Sequence, residues 1–349
     1  MKFLLYGANG YTGVLIARAA QATGMQPILA GRSEEKIQPL ARSLGFDYRI
    51  FDLSDPVAVR QGLETVPLVL HAAGPFVHTA RPMMEACLDT RTHYLDITGE
   101  IEVFEMAHRL DERARQAGIM MMPGTGFDVV PTDCIALYLK KQLPDARQLK
   151  LAFATLGGGV SHGTAMTMVE NLGAAGAVRR DGAIQEVPVG HKTMEVVFHG
   201  AKRFVMTIPW GDVSTAYYTT GIPNIETYTA IAPQVYRFVK WQRYLGWLLR
   251  SSPVKNFVRG QIQRRPSGPD ATQRREGRSL IWGEVCNAAG ECRRARLKAP
   301  EGYALTAQTS LLIVQKALNA QAKPGFQTPA GAYGEQLIME IEGVEREDA

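Results

Sequence analysis

Cysteine is scarce: four residues in 349, Cys87, Cys134, Cys286 and Cys292, and none stands in a CxxC or other zinc-ligand spacing. That argues against a structural metal and against a disulfide scaffold. Free thiols and a cytoplasmic location are the expectation; Cys286 and Cys292 flank NAAGE in a hairpin and could face each other across it, with an unpaired pair the expected case. No stretch approaches the roughly 20 apolar residues of a membrane span. The opening MKFLLYGANG enters an apolar strand and a glycine turn, without the basic stretch and cleavage site of a secretory leader, so none is expected. Internal repeats and low-complexity segments are absent, as are RNP, C2H2 and basic-zipper signatures, so nucleic acid is not an expected partner. The net charge of +5 is a modest excess that suits a small polyanionic cofactor.

The chain is long enough for two cores. Its first 125 or so residues alternate apolar runs with amphipathic stretches. KFLLYG, QPILAG, YRIFDL, LVLHAAG, HYLDIT and GIMMMPG read as buried strands, and the segments between them have helical period and often end at glycine. Strand alternating with helix predicts an α/β, Rossmann doubly wound parallel sheet of about six strands, with a second α+β domain beyond it. From Leu149 the strands KLAFATL, TMEVVFHGAKRFVMTIP and IETYTAIAP lengthen and alternate, as in a mostly antiparallel sheet. GTAMTMVENLGAAGAV reads as a helix ending at glycines, LIWGEVCNAAGECRRARLKA as a hairpin, and 251–279 (with Lys255, Arg259, Arg264, Arg265, Arg274, Arg275 and Arg278) as a surface loop or one that orders on assembly. The predicted domains are 1–127, 128–303, and a helix and tail 304–349 packing back on the first.

GANGYTG follows the first strand directly and opens a helix, which is the context a dinucleotide turn requires. Gly7 permits the tight turn, Gly10 lets backbone approach a pyrophosphate, and Gly13 lets helix and strand pack closely, with Asn9, Tyr11 and Thr12 completing the turn. Backbone N–H groups at the helix N-terminus then bind phosphate without a basic side chain. At the end of the second strand an NAD site places a carboxylate for the ribose 2′-hydroxyl; here stand Gly31, Arg32 and Ser33, with Lys36 a turn later. Arg32 suits a 2′-phosphate, so NADP(H) is the expected cofactor. Asp52 is placed to meet the adenine or to cap the next helix, and Ala73, Gly74 and Pro75 to pass beneath the ribose and nicotinamide.

GANGYTG, AGRS, AAGPF, YLDITGE and PGTGFDVVPTD, in this order, resemble the saccharopine dehydrogenase-like oxidoreductases, and within them the branch that includes the trans-acting enoyl reductases. IPWGDVSTAYYTTGIPNIE and YALTAQTSLLIVQKAL extend the likeness over most of the chain. The resemblance implies an N-terminal Rossmann domain, NADP(H) at a domain cleft, a homodimer, and hydride delivery to an enoyl, carbonyl or imine substrate, small or lipid-like.

Ligands of such sheets lie beyond the carboxyl ends of the strands. That places Tyr94, Asp96, Thr98, Glu100, Asp128 and Asp133 nearest the reacting carbon. Asp96 also suits a loop hydrogen bond, Asp133 a helix cap and Tyr94 the core. Glu100 and Asp128 are the first candidates for proton transfer or substrate orientation. GGGVSHGTAMTMVENL adds His162, next to Ser161 and Thr164 at a helix start, as a further donor. Trp210, Asp212, Tyr217 and Tyr218 fit either a pocket wall or a core. VYRFVKWQRYLGWLLR sets Arg237, Lys240, Arg243 and Arg250 against Val235, Phe238, Val239, Leu245 and Leu248, a pattern shared by packing helices, subunit interfaces and helices lying on a membrane surface. A non-catalytic NADP(H)-binding sensor or scaffold is the alternative to an oxidoreductase, because no sharp catalytic signature such as Tyr-x-x-x-Lys is present.

Overall fold

The computed structural model describes residues 2–249, 251–264 and 266–349, and no side chain of 242–248. The expectations for Arg243, Leu245, Leu248, Arg250 and Arg265 therefore lie outside the described residues. Two compact units form, Met1–Asp128 with Tyr303–Ala332, and Val129–Gly302 with Tyr333–Ala349.

In the first unit the six apolar runs become β1 (Lys2–Tyr6), β2 (Gln26–Gly31), β3 (Tyr48–Ile50), β4 (Leu68–His71), β5 (His93–Asp96) and β6 (Met120–Met122). Between them run α1 (Tyr11–Ala22), α2 (Glu34–Leu44), α3 (Pro56–Leu63), α4 (Phe76–Thr90), α5 (Ile101–Arg109) and α6 (Asp111–Ala117). Local chemistry sets the helix ends. Asp55, not Asp52, caps α3 by accepting from the Val57 and Ala58 N–H groups, with Pro56 in the first turn. α2 stops at Gly45, whose φ of 72° is the left-handed C-cap. Leu4, Leu5, Leu68, Val69, Leu70, Tyr94 and Leu95 are buried without trace of exposure, as expected of strands covered on both faces.

The second unit opens with α7 (Val130–Gln142) and continues through β7 (Gln148–Leu156), α8 (His162–Glu170), β8 (Gly176–Arg180), β9 (Ala183–Val187), β10 (Thr193–Phe198), β11 (Ala201–Thr207), α9 (Asp212–Thr220) and β12 (Asn224–Ala230). Next come α10 (Pro233–Leu249), α11 (Ser252–Gln263), α12 (Ala271–Glu276), β13 (Arg278–Cys286) and β14 (Cys292–Pro300). α13 (Gly302–Lys316) and the short strand β15 (Gly325–Phe326) follow, and β16 (Glu345–Asp348) comes last.

β15 pairs in parallel with β6 and makes the first sheet seven-stranded, in the order β15-β6-β5-β4-β1-β2-β3. Every pairing in it is parallel. Two residues are too short a run to read as a strand in sequence, hence the expectation of six. The second sheet is mixed, with β10-β11-β12-β7-β13-β14-β16 as its path, β8 joining β12, and β9 joining β8. β12 and β7 run parallel while the remaining neighbours are antiparallel. Its core gathers Val196, Phe198, Val205, Tyr228, Leu280 and Trp282.

Four expectations are corrected here. The helix read in 163–178 as ending at its glycines stops just before them, at Glu170, and the last residues of that stretch belong to a β8–β9 hairpin whose turn, Asp181–Gly182, has φ of 48° and 81°. An Asp-Gly pair is the residue signal for that turn. The loop expected at 251–279 contains α11 and α12; an Asp270–Gln273 capping box starts α12 and was hidden by the Arg- and Pro-rich composition. The tail does not follow α13 as one piece, because β16 pairs antiparallel with β14 of the second unit. Finally, Cys286 and Cys292 are joined by a disulfide. The β13–β14 register sets them directly opposite, with Cα atoms 4.2 Å apart, a fact that chain spacing conceals. Two buried thiols remain, Cys87 and Cys134, so the four free thiols that argued for the cytoplasm are reduced to two.

Candidate functional site

The glycine turn lies where the sheet order reverses, between β1 and β4. Gly7 and Ala8 donate to the Ala30 carbonyl of β2, which ties the turn to that strand's end. Gly7 has φ +81°, and a Cβ there would stand 2.8 Å from the Ala73 nitrogen. A Cβ at Gly13 would stand 2.3 Å from the Gly7 carbonyl oxygen. Gly10 differs: its added Cβ would meet only that oxygen, at 3.3 Å, and the residue is exposed. Two of the glycines therefore serve packing, and the middle one leaves the start of α1 open. No side chain caps that helix. An open, uncapped helix N-terminus at a reversal of strand order is the setting in which backbone N–H groups bind phosphate.

The end of β2 faces the same side. Asn9 leans toward Gly31, where a Cβ would meet its Oδ1 at 3.2 Å. Arg32 is exposed, and Ser33 is the N-cap residue of α2 with no cap bond from its hydroxyl. Lys36 is exposed one turn on. Asp52 accepts from the Ser54 N–H at 2.8 Å and from its hydroxyl at 2.7 Å. Those two bonds, helped by the Arg32 charge, hold its carboxyl below the ordinary range.

A residue the sequence reading passed over anchors the loop after β4. His71 is fully buried; its Nε2 meets the Thr79 hydroxyl at 3.1 Å, and that hydroxyl donates to the Ala73 carbonyl at 2.7 Å. With its one proton spent on Ala73, Thr79 accepts from His71, so the imidazole carries its hydrogen on Nε2. Burial pushes the ring's pKa down to about 3 and keeps it neutral. A buried histidine at a strand's carboxyl end is the signal that could have found it. The loop it holds carries Ala73, Gly74 and Pro75, the last two joined by a cis peptide.

Glu100 also acts on this loop. Its two carboxylate oxygens accept from the Phe76 N–H at 3.0 Å and the Val77 N–H at 2.7 Å. Pro75, the N-cap of α4, supplies no side-chain bond, and Glu100 fills that role from the β5 side. Asp96, fully buried, ties three segments together: it accepts from the Tyr94 hydroxyl at 2.6 Å and from the Thr98 and Gly124 N–H groups at 2.9 Å each. Burial outweighs these bonds and raises its carboxyl to about 7. Asp128 packs over Gly99, where a Cβ would meet its Oδ2 at 2.7 Å. It keeps partial exposure while protein surrounds it, and burial, with the charge of Glu100 second, raises it to about 7. Glu100 and Asp128 thus share one edge, at the carboxyl ends of β5 and β6.

α13 closes over that edge within the first unit. Thr306 accepts from the Phe127 N–H at 3.0 Å, Thr309 donates to the Thr125 carbonyl at 2.8 Å, and Tyr303 stands edge-on to Tyr11 at 5.0 Å. A Cβ at Gly126 would come within 2.8 Å of Thr306. The chain's return thus reaches the glycine turn and the PGTGFD loop together.

The remaining candidates belong to the second unit. Ser161 caps α8 by accepting from the Thr164 N–H at 3.2 Å, and His162 begins that helix with its N–H donated to the Ser267 carbonyl. Asp133 is not a cap; the N-cap of α7 is Val129, and Asp133 accepts the Thr219 hydroxyl at 2.5 Å, joining α7 to α9. Trp210 packs on Phe153 at 4.8 Å, Tyr217 on Tyr218 at 5.6 Å, and the Arg179 guanidinium lies 4.2 Å from the Tyr217 ring centre. Asp212 is buried in the first turn of α9.

Strand order and glycine turn together define a dinucleotide-binding protein with a second, mixed-sheet unit. Residues 3–122 match the saccharopine dehydrogenase NADP binding domain. The saccharopine dehydrogenase-like oxidoreductase of Rattus norvegicus is 26% identical over 204 residues, covering 51% of this chain and 48% of that one. The trans-acting enoyl reductase of Mycobacterium ulcerans is 26% identical over 166 residues, 44% of this chain and 39% of that one. A lipid droplet localized protein of Caenorhabditis elegans is 23% identical over 408 residues, with 97% of this chain and 95% of that one covered. Apo saccharopine dehydrogenase (L-Glu forming) of Saccharomyces cerevisiae shares the fold, with a TM-score of 0.69 at 12% identity, over 100% of this chain and 99% of that one. The chain spans about half the length of the mammalian relatives it matches. The chain is thus similar to the saccharopine dehydrogenase-like oxidoreductases, and residues 3–122 of its first unit match an NADP binding domain. Among the described residues no helix is long and apolar enough to cross a membrane.

Proposed function

We propose that the chain reduces an enoyl, carbonyl or imine bond of a small or lipid-like substrate with NADPH. The observation that carries this reading is the open start of α1 at the strand-order reversal, beside Arg32, Ser33 and Lys36 and with no carboxylate closing β2. Gly10, Tyr11 and Thr12 would hold the pyrophosphate and Arg32 the 2′-phosphate, while Ala73 to Pro75 would underlie the nicotinamide ribose. The cradle fits such a group, since side chains at Gly7 and Gly13 would collide with the turn itself while Gly10 remains open. Bound NADPH supplies a hydride to the substrate.

The chain's own residues hold the site and move a proton. Glu100 and His71 fix the loop after β4, and Asp96 fixes the loops after β5 and β6. Asp128 is the best-suited proton donor, because a carboxyl near pKa 7 is substantially protonated at neutral pH. His162, at the first turn of α8, is the second candidate. The enoyl choice draws support from the name of the mycobacterial relative and the lipid-like choice from that of the nematode one. A homodimer completes the reading, supported by the family likeness.

NADPH oxidation in the presence of enoyl and carbonyl lipids, amino acids and imines tests the proposal. Turnover with one class supports it. Tight NADPH binding with no oxidation by any of them would assign the chain to a sensor or scaffold.

A further inference from the structure

The positive charge of this protein is concentrated in one stretch. Residues 227–269 hold eight Lys and Arg and no Asp or Glu, so against a total of +5 the rest of the chain is net negative. The stretch covers α10 and α11. Among the described residues, the large exposed Phe and Trp side chains all lie on these two helices: Phe238 at 65%, Trp241 at 66% and Phe257 at 68% exposure. Val235, half exposed, joins Phe238 and Trp241 at i, i+3 and i+6, one outward stripe of α10.

The opposite side of α10 explains the stripe's direction. Tyr236 attaches the helix to its own unit, with its ring 5.4 Å from Phe204 and its hydroxyl bonded to the Gly190 carbonyl at 3.2 Å. Lys240 lies over that ring at 4.9 Å, and Arg237 is exposed beside it. α11 is held by Lys255 donating to the Glu170 carbonyl and by Arg259 paired with the Glu170 carboxylate at 2.5 Å. Met168 and Val160, on and just before α8, are exposed as well.

We propose that this face, α10 and α11 with Val235, Phe238, Trp241 and Phe257 outermost, docks on the surface of a membrane bearing anionic headgroups. Aromatic and aliphatic tips enter the interface between headgroup and acyl chain, and the flanking Arg and Lys meet the headgroup charge. Charge selects this occupant. A twofold interface would set the same patch against itself and bring like charges together. Nucleic acid requires the cations outermost along its backbone, whereas here apolar side chains take that position.

Flotation of the full chain with vesicles tests the proposal, using phosphatidylcholine alone and roughly three parts of it to one of phosphatidylserine. Two double variants accompany the wild type: Phe238→Ser with Trp241→Ser, and Arg237→Gln with Lys240→Gln. Thermal unfolding and NADPH binding confirm that both are folded. Wild type is expected to float with the anionic vesicles and remain largely below with the neutral ones, and each double variant to lose about tenfold or more in partitioning. Absence of wild type from the anionic vesicles, or flotation of both variants at the wild-type level, would overturn the proposal. So would a dimer that the Ser variant dissociates with no vesicle binding, or retardation of oligo-dT that the Gln variant abolishes with no flotation.

Discussion

At the scale of single residues, the site depends on acids held away from their ordinary titration. Asp96 and Asp128 both sit near 7 in the fold, well above an unfolded carboxyl near 4. The native state therefore binds more protons than the unfolded chain between about pH 4 and 7, and stability falls as pH rises through that window. Asp128→Asn removes one of these groups. It is expected to flatten the fall, so that the variant melts higher than wild type at pH 8 and gains little at pH 5; a parallel pair of stability curves would count against the shifted carboxyl. If Asp128 donates the proton, the same variant loses roughly 100-fold or more in kcat together with the alkaline limb of the profile. Tyr94→Phe withdraws a hydrogen bond from buried Asp96 and should cost about 1–3 kcal/mol. The cost should be larger above pH 7, where Asp96 is ionised, and denaturant unfolding at pH 6 and pH 8 measures the difference.

At the scale of elements, the turn and the loops behave as one assembly. A Cβ at residue 13 would lie 2.3 Å from the Gly7 oxygen, so Gly13→Ala must displace α1 from its turn. Loss of NADPH affinity by tenfold or more is expected, and unchanged affinity in titration calorimetry would mean that close packing there is not needed for binding. Glu100→Gln halves the charge-assisted cap of α4 and should cost about 1–2 kcal/mol, seen as a lower melting temperature. Much of this level was legible in the sequence. Apolar runs separated by helical period placed β1 to β6, and GANGYTG with Gly31-Arg32-Ser33 marked the end of the sheet where the cofactor is proposed. The places of Glu100 and Asp128 after β5 and β6 were legible, but their hydrogen-bond and packing partners were not. The Glu100 bond reaches back 24 residues to Phe76, and chain distance gives no sign of such a bond. His71 and Thr79 were missed because a histidine's burial is not written in the chain, and β15 because two residues have no period. The Cys286–Cys292 bridge was misread because only strand register reveals it.

At the scale of the whole molecule, cofactor binding and stability should be linked. A ligand that binds the folded first unit alone stabilises it by about 2.7 kcal/mol at 100 times its dissociation constant. NADPH should therefore raise the melting temperature, and NADH at equal concentration much less. The return of α13 to the first unit, with Tyr303 against Tyr11 of the glycine turn, makes the cofactor domain discontinuous in sequence. The match to residues 3–122 marks the cofactor domain, while the proposed chemistry rests on side chains at its edge. The most direct test of the account measures dissociation constants of NADPH and NADH for wild type and Arg32→Ala. Wild type should prefer NADPH, and the variant should lose tenfold or more for NADPH with little change for NADH. An equal loss for both, or no loss for either, would contradict the assignment of this site to NADP.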